Sequence, residues 1–202
     1  MQKHKKIESN IVRILTKSNS VNNIKINLIE KYDVEINWDK LVTNSNYLYS
    51  IKRSYEKENN YEIIAKNIKD NHFIDKKAKP GNEVFYIISA INKENIEVDS
   101  DIVSIITTPK EPFDLVAYSK DNSIFLSWKK LESNIKMEYE IFRSESPNFD
   151  EFNLIHSSEI DGQFEDKSIL YEEKYIYKIL VKYENLKSNF SDRKSTRLNS
   201  SH

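Results

Sequence analysis

The sequence predicts an all-β chain built from two similar β-sandwich repeats. Two observations lead to this prediction: short segments in which apolar and polar residues alternate, and the return of four such segments at one spacing along the chain. The chain has 202 residues, of which 38% are hydrophobic. That length suits one large domain or two of about 100 residues each, with ordinary cores.

The alternating segments have the period of two that is typical of strands. Examples are Val34 to Trp38 (VEINW), Tyr49 to Arg53 (YSIKR) and Ile124 to Trp128 (IFLSW). Each segment places alternate side chains on one face, which suits a sheet that is buried on one side only. The segments are separated by Asn, Asp, Ser and Lys, which favour turns and loops.

The repeat is the second observation. Four segments return at an offset of ninety residues (128 − 38 = 90), to within one residue: Val34-x-Ile36-x-Trp38 as Ile124-x-Leu126-x-Trp128, Tyr49-x-Ile51-x-Arg53-Ser54 as Tyr139-x-Ile141-x-Arg143-Ser144, Phe73-x-Asp75 as Phe164-x-Asp166, and Tyr86-x-Ile88 as Tyr177-x-Ile179. A unit of about ninety residues with seven short strands has the size of an immunoglobulin-like sandwich. The residues predicted to mark the two cores are Trp38, Trp128, Tyr49, Tyr139, Ile51, Ile141, Tyr86, Tyr177 and Tyr175.

Each repeat resembles a fibronectin type III domain, in the style common in bacterial secreted proteins. The resemblance rests on the Trp that ends the second strand, the Tyr-x-Ile-x-Arg-Ser third strand, and the aromatic-x-Asp segment that precedes a Tyr-rich strand. The first repeat also has the Pro80-Gly81 turn. The corner tyrosine of the family, whose hydroxyl ties its strand to an upstream loop, matches Tyr175. The first repeat has Val84 at that place, and the second repeat has Tyr171-Glu172-Glu173 instead of the Pro-Gly turn.

The repeat sets the expected domain boundaries. Residues 19–108 form the first fibronectin type III-like repeat, residues 109–112 a short linker that Pro109 and Pro112 stiffen, and residues 112–191 a second repeat that lacks most of its last strand. We therefore expect the second repeat to be less stable than the first, because the missing strand leaves an unpaired edge.

Both ends of the chain depart from this pattern. Residues 9–16 (SNIVRILT) resemble residues 100–107 (SDIVSIIT), which form the last strand of the first repeat. Residues 1–18 are thus expected to hold the remnant last strand of a preceding repeat; a short amphipathic helix stays open as an alternative. Residues 192–202 match one frame of a widely used short-read sequencing adaptor without mismatches, so we expect them to be a non-native tail.

Composition and motifs indicate no chemistry. The chain has no cysteine, only two glycines and a formal net charge of −1 without a concentrated basic face. We therefore expect no nucleic-acid partner, no membrane span and no cofactor. His72 and His156 lack ligand-spaced neighbours, and no nucleophile or phosphate-binding motif occurs. The expectation is a non-enzyme with no catalytic, cofactor-binding or metal residues.

Two polar residue types recur with the strands. Asp75 and Asp166 are predicted to cap a turn through backbone hydrogen bonds. Arg53 and Arg143 are predicted to cover the end of the sandwich with their aliphatic stems, while a ligand role stays open.

The resemblance implies a task for the array as a whole. It implies non-enzymatic spacer or interaction repeats from a larger surface or secreted protein, extracellular or at the cell surface, bacterial and monomeric. A protein or polysaccharide partner stays open. The alternatives are the accessory region of a polysaccharide-degrading enzyme and a component of a phage tail or fibre, and fold alone does not decide among them.

Overall fold

The computed structural model of the protein describes residues 20–41, 47–145, 150–159 and 162–197. The regular structure in these ranges is β-strand, without a helix. Eight strand segments form the first sandwich: β1 (Lys25–Ile29), β2 (Asp33–Asn37), β3 (Leu48–Ser54), β4 (Glu62–Ile68), β5 (His72–Asp75), β6 (Glu83–Ile91), β7 (Glu97–Asp99) and β8 (Val103–Ile106). One sheet has the order β1-β2-β5, and the other has the order β4-β3-β6 with β7 and β8 both paired to β6.

The second sandwich repeats this arrangement. Its segments are β9 (Phe113–Lys120), β10 (Ser123–Lys129), β11 (Glu138–Glu145), β12 (Asn153–Ser158), β13 (Gln163–Asp166), β14 (Lys174–Tyr183), β15 (Leu186–Lys187) and β16 (Lys194–Arg197). The sheets have the orders β13-β10-β9 and β12-β11-β14, with β15 and β16 both paired to β14. The predicted all-β tandem sandwich is therefore confirmed.

The last strand position of each sandwich is divided by a serine. The Ser100 N–H donates to the Ile88 carbonyl at 2.9 Å, while its hydroxyl accepts from the Ile88 N–H at 3.0 Å. Ser191 makes the same pair of bonds with Ile179, at 2.7 and 3.0 Å. On either side of the serine, the two segments pair with the same neighbouring strand and together fill one position in the sheet. Each sandwich therefore has seven strand positions.

The alternating side chains build one core in each sandwich. Trp38 and Tyr49 meet edge to face with ring centroids 5.4 Å apart, and Trp128 and Tyr139 lie 5.5 Å apart. All nine residues named above as core markers are buried. Aromatic pairs of this kind contribute about 1 kcal/mol beyond the area they bury.

The predicted ends are only partly within the described residues. Residues 1–18, with the expected remnant strand, lie outside them, as do residues 198–202. Lys194–Arg197 pairs with β14 at the place where β8 pairs with β6, so backbone of the expected tail takes the last strand position. That residues 192–202 are non-native stays a prediction.

Candidate functional site: the interdomain junction

A buried carboxylate lies at the end of the first sandwich. Asp75 is 3% exposed and accepts the Lys77 backbone N–H at 2.9 Å, which closes the following turn. Its Oδ2 also lies 2.9 Å from Arg53 Nη1 and 2.9 Å from the Tyr86 hydroxyl. Burial and the neighbouring Asp75 charge raise the pKa of Tyr86, so the phenol stays protonated and donates to the carboxylate.

The second sandwich has the same buried group. Asp166 is 2% exposed and accepts from the Ser168 N–H, from Arg143 Nη1 and from the Tyr177 hydroxyl, each at 2.9 Å. Burial alone would raise the pKa of Asp166, but the hydrogen bonds from Ser168 and Arg143 outweigh it and lower that pKa.

These contacts add to one sequence interpretation and correct another. Asp75 and Asp166 do bond the turns that follow them, but each also receives an arginine and a tyrosine. Arg53 and Arg143 act through their guanidinium groups, because each pairs with its aspartate, rather than through the stems alone. The groups bond one another inside the protein, so we assign them to stability rather than to ligand binding.

A tyrosine hydroxyl makes the corner hydrogen bond in both sandwiches, although the first has no tyrosine at the family position. The Tyr175 hydroxyl accepts the Leu170 backbone N–H at 2.9 Å. In the first sandwich the Tyr55 hydroxyl accepts the Lys79 N–H at 2.8 Å, and Lys79 is the counterpart of Leu170 (79 + 91 = 170). Tyr55 thus reaches from the end of β3 and replaces the hydroxyl that Val84 lacks.

This replacement gives a test of the first domain. We expect Tyr55→Phe to lower its free energy of unfolding by about 1 kcal/mol, because the Lys79 N–H loses its acceptor. Urea unfolding measures the change. Tyr61→Phe is the control, since its hydroxyl donates to the exposed Lys57 carbonyl; equal losses in the two variants would contradict the assignment.

The turn before β6 has a left-handed residue in both domains. Gly81 has φ +66°, and Glu172, at the same place in the second domain, has φ +63°. A side chain other than glycine is strained in this region. The second domain therefore keeps the shape of the turn without the Pro-Gly sequence.

The turn at Gly81 carries the contacts between the two domains. Asn134, in the loop before β11, uses its side chain like a strand neighbour of Glu83: Oδ1 accepts the Glu83 N–H at 2.8 Å, and Nδ2 donates to the Glu83 carbonyl at 2.8 Å. Nδ2 also donates to the Tyr55 carbonyl at 2.9 Å. Asn82 reciprocates, because its Oδ1 accepts the Asn134 N–H at 3.1 Å and its Nδ2 donates to the Glu132 carbonyl at 3.2 Å.

Close packing completes the junction. The Ser133 hydroxyl donates to the Gly81 carbonyl. A Cβ added at Gly81 would lie 3.2 Å from Met137 Cε and 3.3 Å from Pro109 Cα, so a side chain there would press on the linker and on the second domain. Glycine is thus favoured at position 81 both by the backbone conformation and by this close approach.

The linker is anchored at the same point. Buried Thr107 accepts the Asn82 N–H at 3.1 Å and donates to the Lys79 carbonyl at 2.7 Å through its hydroxyl. The Gly81 N–H donates to the Thr108 carbonyl at 3.0 Å. The turn, the linker and the loop of the second domain are therefore bonded to one another over a few residues.

Metal-ligating side chains do not cluster in the described residues. No group of three or more His, Asp or Glu side chains in them could hold a metal ion. His72 lies 3.2 Å from Glu35, and His156 stacks on Phe164 with centroids 4.7 Å apart. No helix in the described ranges is suited to crossing a membrane.

Comparison with known proteins agrees with this architecture. A two-domain fibronectin type III segment of chicken tenascin has a TM-score of 0.57 and 11% sequence identity, and covers 89% of this chain and 99% of that one. The FN1–FN3 domains of chicken CNTN1 give 0.42 at 12% identity, covering 90% and 68% of the two chains. The chicken interferon gamma receptor alpha chain gives 0.44 at 9% identity, covering 91% and 100%.

No family model and no curated protein matches the sequence. At such low identity the match to the tenascin segment concerns fold. It extends over 89% of this chain, and therefore over both sandwiches. The chain consists of two tandem domains with the fibronectin type III fold.

Proposed function

We propose that this chain is a non-enzymatic spacer that holds its two domains at a fixed angle within a larger surface or secreted protein of bacterial type. The observation that carries the proposal is the reciprocal contact of Asn82 and Asn134, which ties the turn of one domain to the loop of the other. A spacer transmits position only if its joints resist bending. A short, proline-flanked linker with several hydrogen bonds across it supports that role.

The contact also supports a monomer as the working unit. The junction is satisfied within one chain, because each asparagine side chain bonds the backbone of the other domain. Inter-domain surfaces in one chain are commonly mobile unless they are well bonded or large. We infer that the contact between these two domains is held by specific hydrogen bonds rather than by a large buried surface.

The experiment is to loosen the joint. Asn134→Ala removes three side-chain hydrogen bonds, to Glu83 twice and to Tyr55, each worth roughly 1 kcal/mol net. We expect ¹⁵N relaxation of the unaltered chain to fit a single anisotropic rotational diffusion tensor. In the variant the two domains should tumble separately, with shorter correlation times and unchanged folds.

Asn153→Ala, an exposed asparagine on β12, is the matched control and should tumble like the unaltered chain. Independent tumbling of the domains in the unaltered chain would overturn the fixed-angle spacer. Flanking sequence tests the remaining part of the proposal. A hydrolase domain or phage tail genes beside this segment would replace the spacer by the accessory region of a polysaccharide-degrading enzyme or by a fibre component.

A further inference from the structure

The outer face of the second domain carries a lysine surrounded by phenylalanine rings. Lys178 Nζ, on β14, lies 3.7 Å from the ring centroid of Phe190, 4.0 Å from that of Phe152 and 5.9 Å from that of Phe142. Phe142 and Phe190 meet edge to face at 5.2 Å. Phe190 is 41% exposed, so the group, here called the Phe–Lys patch, is open to solvent.

The same face of the first domain is built differently. Lys52 stands at the position of Phe142 (142 − 90 = 52), and Asp99 at that of Phe190 (190 − 91 = 99). There Lys52 Nζ lies 2.9 Å from Asp99 and 2.7 Å from Glu97. The first domain therefore neutralises its own lysine, whereas the second surrounds one with rings.

Lys178 has a cation–π environment but no carboxylate. Among the described residues, no carboxylate lies within ion-pair distance of Lys178 Nζ, and the Lys178 ammonium group makes no hydrogen bond beyond its contacts with the rings. Burial and the charge of Arg193 lower the pKa of Lys178. Arg193 belongs to the segment expected to be non-native, so the inference rests on residues 142–190 alone.

The surroundings of the Phe–Lys patch resemble the anatomy of a protein-binding surface. Phe190 is exposed, and Phe142 and Phe152 are half-buried. A charged group lies beside these rings: Lys182 pairs with Glu140 at 2.6 Å and with Glu138 at 3.3 Å. Aromatic residues are enriched in the core of protein interfaces, with polar residues at the rim. A carboxylate that reached Lys178 would form a charge-assisted hydrogen bond with the ammonium group.

We propose that the Phe–Lys patch binds a protein partner that presents an Asp or Glu side chain beside an apolar one. The carboxylate pairs with Lys178, and the apolar side chain packs on Phe142 and Phe190. A protein with a carboxylate fits better than a neutral sugar, because the ammonium group already lies over one face of Phe152 and one face of Phe190 and has its positive charge to offer. The proposal goes beyond the spacer role and does not depend on the junction.

The test pans a phage-displayed library of random dodecapeptides on the full chain. Selected clones are then compared on the unaltered chain, on Lys178→Met, which keeps an apolar stem without the charge, and on Lys52→Met, the matched change on the first domain. We expect clones with Asp or Glu next to Phe, Leu, Ile or Val. Their binding should fall by about tenfold or more on Lys178→Met and stay unchanged on Lys52→Met and on Asn134→Ala.

Phe190→Ala is the second variant, since it removes a ring and keeps the lysine, and it should weaken the same clones. A ¹H–¹⁵N spectrum establishes that each variant is folded. Failure to select any clone, clones without acidic residues, or equal binding to Lys178→Met would overturn the proposal. Lys178-dependent binding of polygalacturonate without selection of acidic peptides would also overturn it, in favour of a carbohydrate surface.

Discussion

Replacing Asp166 by alanine is expected to lower the free energy of unfolding of the second domain by about 3–5 kcal/mol, because an arginine loses its buried counter-ion. The Asp166 carboxylate accepts from Arg143, from the Tyr177 hydroxyl and from the Ser168 N–H. In the alanine variant all three donors lose this acceptor while they remain buried or half-buried.

Hydrogen exchange measures the loss in each domain separately. Protection of the amides of β14 should fall in Asp166→Ala, whereas protection of β6 in the first domain should not change. Asp166→Asn is the control: it keeps an oxygen for Tyr177 but loses the charge, so a smaller loss is expected. A loss below about 1 kcal/mol in the alanine variant would place the group among the surface ion pairs.

The same carboxylate predicts a dependence on pH. Because the pKa of Asp166 is lowered in the folded domain, its contribution is complete above the pKa of an unfolded aspartate, about 3.9. It is lost as pH falls through the lower, folded value. We expect the second domain of the unaltered chain to lose stability on acidification through that range, and Asp166→Ala to lose less. Parallel decreases in the two proteins would contradict this linkage.

The repeat made most of the fold predictable. Residues that return at one offset have the same structural role in both repeats. Trp38, Trp128 and their neighbours therefore predicted the strands, the faces of the strands that are buried and the aromatic residues of the cores. The link from Asp75 to Arg53 and Tyr86 could have been found by the same reasoning, since all three residue types recur together. Reading each pair by itself instead led to the aliphatic-stem interpretation of Arg53.

The candidate sites were less predictable because their partners are distant in sequence and do not recur. Tyr55 supplies the corner hydroxyl in only one domain, and its equivalent in the other is Glu145 (55 + 90 = 145). Asn82 and Asn134 come together only through the angle between the domains. The rings around Lys178 come from three separate segments, and two of them, Phe142 and Phe190, match Lys52 and Asp99 in the first domain, so the repeat gives no signal for them.

The second large effect concerns the last strand of the second domain. In the first domain Val103 and Ile105 of β8 pack against the core, while Ser104 is exposed. The positions that match in register are Lys194 and Thr196 of β16, since Lys194 pairs with Tyr177 as Val103 pairs with Tyr86. The backbone ladder is therefore formed, but the apolar side chains are missing from it.

We expect the second domain to open at a lower free energy than the first. The double variant Lys194→Val with Thr196→Ile should raise the free energy of unfolding of the second domain by about 2 kcal/mol, because Val103 and Ile105 are half-buried against the core at the matching positions of the first domain. Hydrogen exchange of β14 measures both effects. Ser195→Val is the control, because Ser195 is exposed like Ser104 and a valine there gains little burial.

A gain confined to the double variant would show that hydrogen bonds position this strand while apolar contacts are what it lacks. Equal protection of the two domains before substitution would contradict that view, because the ladder alone would then stabilise the second domain as well as Val103 and Ile105 stabilise the first. A gain from Ser195→Val equal to that of the double variant would indicate that Ser195, and not Lys194 and Thr196, faces the core. Shifting a strand by one residue exchanges its two faces. The stability of the second domain thus depends on which side chains this strand carries, and not only on whether its backbone is paired with β14.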